Sequence, residues 1–360
     1  MRKAALALLA GVLACAVFAG AGGCGQDVWH VFRPAAVAYL QNRTRLYDGG
    51  APGFFFAPWC IYPLLLTAWL PARWAWAVVM TVNLGGISLA CYAVSDEHTP
   101  RLARLLVLAS MPTVALAVGG NIDGIMAGAV GLAWLAIRRR RAWLLGPALL
   151  VLSCKPINVA LVALLYLRLA WAWTGKERLA VVAPTVAALA LSFPLFGLDW
   201  PARYVRALRD IPPLVAPQVS LWRALAWIGC PLWPAYVLAG VAALVAVVVI
   251  LKTKRPDAGT LARLLALSLA FSPYVLDAHL VLVAPALVWL ASKDRRWCWL
   301  WLATLAPIAR LWLGNELAWL SLAYPLALLV AVCWQCWRDS TQVLLTPSQD
   351  VLYLRKVTFP

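Results

Sequence analysis

Ionisable residues stand at the ends of several long apolar runs, where they could do chemistry at a membrane surface. Asp27 follows the first run, Lys155 separates two later runs, and Asp277 and His279 follow Ser272-Pro273-Tyr274. A charged side chain inside a bilayer costs at least a few kcal/mol, so such residues are candidates for function. A carboxylate can accept the proton of a hydroxyl group, and a cation can bind a phosphate.

Lys155 is the sharpest of these candidates. The preceding apolar run, 142–154, makes about 20 Å of helix, which is short of the roughly 30 Å hydrocarbon core. Unless that helix begins within the arginines before it, Lys155 lies inside the outer part of the bilayer and needs an anion. We expect a lipid phosphate as its partner; the alternative is a lysine that extends from a helix end to the interface.

Two aspartates in the first long loop could act as a base. Asp27 comes directly after Gly25-Gln26 and begins a stretch that alternates apolar and polar residues, as an interfacial helix does. Asp48 lies in Tyr47-Asp48-Gly49-Gly50, which is typical of a turn. An ordinary loop aspartate or a helix cap is the alternative for Asp27.

The composition indicates a membrane protein. Hydrophobic residues make up 64% of the 360 residues and charged residues 12%, with a mean hydropathy of +0.82, whereas soluble domains have about 45–50% and about 25%. We predict an all-α, polytopic protein of about 10–13 spans without a large soluble domain. The span count depends on Pro71, which could divide the run 60–94 into two helices.

Four short basic loops, at 138–141, 176–178, 252–255 and 293–296, predict the cytoplasmic side by the positive-inside rule. The membrane domain is then 1–337, with a first outer loop at 24–59, an outer loop at 197–217 and a short cytoplasmic tail at 338–360. This topology collects ionisable and amide side chains from separate segments on the outer side and predicts a polar cavity there. The residues expected to bind substrate are Asp48, Asn121, Asp123, Lys155, Arg209, Asp277 and His279.

Other function classes lack their signatures. The net charge of +17 follows from the basic loops, and no motif for nucleic-acid binding is present. The sequence also lacks a phosphate-binding GxxxxGK[ST] loop and paired cysteines with metal-ligand spacing, so we expect neither a metal nor a cofactor. In the aromatic segment 54–59, Phe56 and Trp59 could bind a sugar or a prenyl chain, or could instead anchor a helix at the interface.

The order of these motifs resembles the polytopic GT-C glycosyltransferases, and most closely glycosyltransferase family 87, whose members use polyprenyl-phosphate-mannose. The matching stretches are Asp27 to Pro63, Gly120 through Lys155-Pro156, and Ser272-Pro273-Tyr274 with Asp277. The spacing from Asp27 to Val31-Phe32 is one residue longer than the family pattern leads us to expect.

The resemblance implies an inverting transfer of a hexose from a polyprenyl-phosphate donor to a lipid or glycan acceptor. Mannose is the hexose that we expect first. The resemblance also implies that Asp27 is the base and that Lys155, helped by Arg209, stabilises the leaving phosphate. The implied location is the outer face of a bacterial inner (plasma) membrane, with membrane lipids as further partners. A transporter or a flippase for lipid-linked sugars is the main alternative, and a non-catalytic assembly protein is the third.

Overall fold

A computed structural model describes residues 2–20, 25–42, 46–47, 54–209, 218–308 and 313–345. Every regular element in these ranges is helical, which confirms the predicted all-α class. The α-helices are α1 (Arg2–Gly20), α2 (Arg33–Gln41), α3 (Ile61–Leu64), α4 (Leu66–Trp69), α5 (Ala72–Val94), α6 (Arg101–Leu108), α7 (Met111–Gly119), α8 (Asp123–Arg138), α9 (Ala142–Leu152), α10 (Ala160–Ala170), α11 (Gly175–Phe196), α12 (Trp200–Arg209), α13 (Leu221–Trp227), α14 (Trp233–Lys252), α15 (Ala258–Ala270), α16 (Ala284–Lys293) and α17 (Ala323–Leu345). The other helical segments are a π-helix at Val28–Phe32 and 3-10 helices at Pro58–Cys60, Pro156–Asn158, Asp277–Val283, Arg295–Ile308 and Asn315–Leu322.

Five of the described helical segments are long and apolar enough to cross a membrane. They are α5, α6 with α7 (Arg101–Gly119), α11, α14 and Glu316–Thr341. The remaining predicted runs form shorter or interrupted apolar helices, such as α9, α10 and α15. Helices α11 and α14 leave most of their apolar side chains exposed on the outside of the protein, where lipid replaces water as the solvent. The chain is therefore an integral membrane protein.

The run 60–94 is divided at Pro71, as the sequence allowed. Leu70 and Pro71 have extended ψ angles of 145° and 140°, and α5 begins at Ala72. Proline disfavours helical geometry in the residue before it, so the helix is interrupted at Leu70 and Pro71. At the other end of the chain, α17 continues past the predicted boundary at 337 to Leu345, and residues 346–360 lie outside the described ranges.

Helices α5 and α8 pack at very short range because glycines face each other across their contact. A Cβ atom on Gly86 would lie 2.1 Å from the carbonyl oxygen of Gly124, and one on Gly128 would lie 2.7 Å from the Cα of Gly86. At Gly131 a Cβ would lie 2.6 Å from the Cα of Ala90. Small residues of this kind let helix backbones approach closely inside membranes. The contact fixes the start of α8, and with it Asp123.

We expect Gly128→Val to destabilise the protein by about 1–3 kcal/mol, the usual cost of overpacking a tight contact. Gly85→Val is the matched control, because a Cβ at Gly85 meets nothing within 4 Å. The measurement is the thermal midpoint of the detergent-solubilised protein. Equal midpoints for the two variants would contradict the close packing of α5 on α8.

Candidate active site

The chain after α1 lies against the end of α7 through two glycines. Gly25 and Gly120 both have positive φ angles, 99° and 73°, a conformation that glycine adopts without steric cost. The Gly25 N–H donates to the carbonyl oxygen of Val118 at 2.8 Å, and a Cβ on Gly120 would lie 2.6 Å from the Cα of Gly25. This contact brings Asp27 beside Asn121.

Asp27 stands directly before the π-helix Val28–Phe32. The Arg33 N–H donates to the carbonyl oxygen of Val28, five residues back. A π-turn accommodates one additional residue in a helix and occurs often at functional sites. The π-turn thus places one more residue before Arg33 than an α-helical turn would, and Phe32 is fully buried.

Lys155 lies in the break between α9 and the 3-10 helix Pro156–Asn158, and its residue is only 8% exposed. Its Nζ donates to both carboxylate oxygens of Asp123, at 2.9 and 3.1 Å, and to Oδ1 of Asn121 at 3.2 Å. Asp123 is fully buried. The anion that the buried lysine needed is thus supplied within the protein, by the first residue of α8.

His279 lies beside the ion pair of Lys155 and Asp123. Its Nε2 lies 2.9 Å from Nζ of Lys155, and its Nδ1 receives the Leu276 N–H at 3.1 Å. The Asn158 amide nitrogen lies 3.0 Å from Nδ1, while the Asn158 Oδ1 accepts a hydrogen bond from Oγ of Ser272 at 2.9 Å. The ring is therefore fixed at Nδ1 by the Leu276 N–H, and its Nε2 lies beside Lys155 and 3.6 Å from Oδ2 of Asp123.

Asn83 and Asn158 are site residues that the sequence reasoning missed. Asn83 is fully buried on α5; its amide donates to the Asn121 carbonyl at 2.7 Å, and its Oδ1 accepts the Ile125 N–H at 3.0 Å. It thereby satisfies a backbone N–H in the first turn of α8 and holds Asn121. Both asparagines interrupt apolar runs, and a buried amide needs partners. A single amide inside an apolar run is thus the sequence signal that identifies these two residues.

A cavity of about 560 Å³ opens beside this network. Its polar end is lined by Asp27, Asn121, Lys155 and His279. The rest of the lining is mainly aromatic or aliphatic: Val31, Phe55, Phe56, Pro156, Ile157, Ala160, Tyr204, Leu208, Pro273, Tyr274 and Leu276. The cavity therefore combines a cluster of polar groups with a mainly apolar lining.

Phe56 forms one wall of the cavity at its charged end. Its ring centroid lies 5.6 Å from Nζ of Lys155, within the range of a cation–π contact. The rings of Phe32 and Phe54 pack against it at 5.6 and 5.4 Å, and the Tyr47 hydroxyl donates to its carbonyl oxygen at 2.6 Å. The aromatic side chains of the first loop thus pack into a cluster that positions this wall.

Asp27 is the one carboxylate that lines the cavity among the residues the structure describes. Burial raises its pKa to about 6, opposed by the positive charge of Lys155; the negative charge of Asp123 raises it further, and a hydrogen bond from Asn121 lowers it. A pKa close to the working pH is what a general base needs, since the group must be ionised yet still hold a proton well.

Other residues predicted to bind substrate lie elsewhere. Asp277 is buried at the start of a 3-10 helix, outside the cavity lining. Trp59 donates its indole N–H to Oγ of Ser153 at 3.1 Å and lines a separate apolar groove of about 530 Å³ between α9 and α11. Asp48 falls outside the described residues.

Arg209 is exposed at the last residue of α12. Within the described part of that helix, Tyr204 and Leu208 line the cavity. These two residues are four apart and share a helix face, whereas Arg209 is turned about 100° further round. The structure therefore brings Lys155, Asn121, His279 and Phe56 together with Asp27, and leaves Arg209 away from them.

Removing one partner of the buried ion pair should destabilise the protein. We expect Lys155→Met to cost about 3–5 kcal/mol, because it leaves the Asp123 carboxylate buried without its cation. The double variant with Asp123→Asn should recover much of that loss, since no charge is then left unpaired. Thermal midpoints of the purified variants measure both effects. A double variant no more stable than the single one would show that the pair does not carry this energy.

Comparison with known proteins assigns the chain to a family. A sequence model of glycosyltransferase family 87 matches residues 54–275, which include Asn121, Asp123 and Lys155 and exclude Asp27 and His279. No curated protein and no solved structure matches the chain. Because the family match covers more than half of a helical membrane protein, the chain belongs to glycosyltransferase family 87 and is a membrane glycosyltransferase.

Proposed function

We propose that this glycosyltransferase moves a hexose, with mannose as the first candidate, from a polyprenyl-phosphate carrier to a hydroxyl group of a lipid or glycan on the outer face of the membrane. One observation carries the proposal: the Asp27 carboxylate and the Lys155 ammonium line the same cavity. A sugar phosphate bound between them meets a base at one side and a cation at the other.

The reaction is a single displacement at the anomeric carbon of the sugar. Asp27 accepts the proton of the acceptor hydroxyl as that oxygen attacks the anomeric carbon. The bond from the anomeric carbon to the phosphate oxygen breaks, and its electron pair remains on the lipid phosphate. The attack comes from the face opposite the leaving phosphate, so the anomeric configuration inverts. The proton ends on Asp27, and the lipid phosphate gains one negative charge.

Lys155 meets that developing charge. Its ammonium group has three N–H donors, and the contact to Asn121 at 3.2 Å is the longest of its hydrogen bonds to side-chain oxygens. A phosphate oxygen can replace this neutral amide and form a charge-assisted bond, while Asp123 keeps the lysine in place. An interaction that strengthens as charge appears lowers the barrier for the chemical step.

The other lining residues of the cavity suit the sugar ring and the prenyl chain of a lipid-linked sugar. Phe56, Tyr204 and Tyr274 offer aromatic surfaces to the sugar ring. Ile157, Ala160 and Leu276 are aliphatic residues of the same lining. These aliphatic side chains can accommodate the first part of a prenyl chain. The cavity thus supports a donor that carries a phosphate between a sugar and a hydrocarbon.

Replacing the base tests this assignment directly. Asp27→Asn should lower the rate of transfer by about 10²–10⁴-fold, the usual contribution of a general base. The measurement is the transfer of labelled mannose from purified polyprenyl-phosphate-mannose to a lipid extract in proteoliposomes. Glu97→Gln, at a fully exposed carboxylate, is the matched control and should keep full activity.

Full activity of Asp27→Asn with this donor would refute Asp27 as the base. Liposomes that contain donor but no acceptor separate enzyme from transporter. Accumulation of donor inside them without a covalent product, by wild-type protein, would favour transport of a lipid-linked sugar instead.

The pKa of Asp27 sets a pH dependence. Because the folded protein raises that pKa to about 6, the proton-bound, inactive form predominates below this pH and the carboxylate above it. We therefore expect kcat/KM to fall about tenfold per pH unit below about pH 6 and to level off above it. Steady-state kinetics over this range provide the test. A profile that is flat down to about pH 5 would contradict a base with this pKa.

A further inference from the structure

A second cavity lies at the opposite end of α8 from Asp123. Helix α8 has 16 residues, so its two ends are about 24 Å apart. The turn that follows α8 joins it to α9, and the start of α11 packs beside this turn. A cavity of about 520 Å³ between them is lined by Arg139, Arg140, Arg141 and Lys176, with Glu177 and Trp143.

The turn is held in one conformation. Arg140 has a φ of 49°, a left-handed geometry that glycine usually adopts at a helix end. The Arg141 N–H donates to the carbonyl oxygen of Ala136 at 2.8 Å, and the Arg140 N–H to that of Ile137 at 3.2 Å. This is the hydrogen-bond pattern of a Schellman motif. The left-handed backbone costs an arginine roughly 1–2 kcal/mol, so something must stabilise it.

The Arg140 side chain also connects this turn to α11. Its Nε and Nη2 donate to the two carboxylate oxygens of Glu177, at 3.0 and 2.9 Å. Glu177 in turn accepts hydrogen bonds from the backbone N–H and the hydroxyl of Thr174, each at 2.9 Å. This ion pair ties the turn to the start of α11, and the charges of Arg140 and Glu177 neutralise each other.

The three remaining cations of the cavity have no carboxylate partner among the described residues. Arg139, Arg141 and Lys176 are exposed, and none of them takes part in an ion pair within the described residues. They surround the cavity from two helix junctions, and Glu177, its one carboxylate among the described residues, is already neutralised by Arg140. An anion that enters the cavity can therefore contact several cations at once.

Apolar surface adjoins the cations. Trp143, in the first turn of α9, is 64% exposed, and Ala180 is exposed on α11, a helix long and apolar enough to span the membrane. Tryptophan at a helix end is typical of the level of lipid headgroups. A ligand that uses the whole cavity has an anionic phosphate and a hydrocarbon part next to it.

We propose that this cavity binds the headgroup of an anionic phospholipid, with its phosphodiester between Arg139, Arg141 and Lys176 and its acyl chains against Trp143 and α11. Basic pockets between membrane helices recognise anionic headgroups through the same chemistry. This site is separate from the transfer reaction, and its test does not depend on that reaction.

The test is native mass spectrometry of the delipidated full-length protein titrated with phosphatidylglycerol or phosphatidylcholine. We expect one phosphatidylglycerol to bind well above the affinity for phosphatidylcholine. The triple variant Arg139→Gln, Arg141→Gln, Lys176→Gln should weaken phosphatidylglycerol binding by about 100-fold, roughly fivefold per cation. Arg141→Gln alone should give about a fivefold loss, which keeps the test valid if the triple variant does not fold.

The matched control removes the same number of cations from another basic loop, with Lys252→Gln, Lys254→Gln and Arg255→Gln. These residues are also exposed, and they line none of the cavities described above, so binding should stay unchanged. An equal loss in this control would overturn the proposal in favour of general surface charge. Displacement of the lipid by millimolar inorganic phosphate would overturn it in favour of a free-phosphate site, and unchanged binding by the site variants would overturn it outright.

Discussion

The buried ion pair between Lys155 and Asp123 is the constraint around which the rest of the site is arranged. A lysine that is only 8% exposed can remain charged there only with a close anion and further hydrogen-bond partners. Those partners, Asp123 and Asn121, come from the start of α8, and the His279 ring lies against the lysine, so the pair fixes where these distant stretches of chain meet. The glycine contact between α5 and α8, and the two hydrogen bonds of Asn83, hold the anionic side of the pair. The proposed reaction site therefore lies at one end of α8, and the proposed lipid-binding cavity lies at its other end.

The first loop adds Asp27, the proposed base, to this arrangement from outside the region that the family match covers. Asp27 reaches the cavity because Gly25 packs on Gly120 and because a π-turn absorbs one residue before Phe32. Its position is thus a property of local backbone geometry, which a short motif does not encode. The partial burial that comes with this position also raises its pKa towards neutrality.

Composition was enough to predict the all-α membrane fold, and a short apolar run was enough to predict that Lys155 is buried. The break at Pro71 was readable as an alternative, because proline restricts the residue before it. The partner of Lys155 was not predictable in the same way: Asp123 lies 32 residues earlier in the chain, and only the packing of α8 brings it near. Asn83 and Asn158 were missed because each is a single amide inside an apolar run, and Trp59 lines a different groove from Phe56 although both lie in one short aromatic segment of the sequence. Arg209 illustrates the same limit, since one residue along α12 separates it from Leu208, which lines the cavity.

The central claim is that the donor phosphate binds at Lys155 with the sugar towards Asp27. The most direct measurement is a cryo-electron microscopy structure of the Asp27→Asn variant with polyprenyl-phosphate-mannose bound, since this variant should bind the donor without consuming it. The account predicts a phosphate oxygen within about 4 Å of Nζ of Lys155, an ion-pair distance, and the anomeric carbon between the phosphate and residue 27. A donor whose phosphate lies in the apolar groove beside Trp59, away from Lys155, would contradict it.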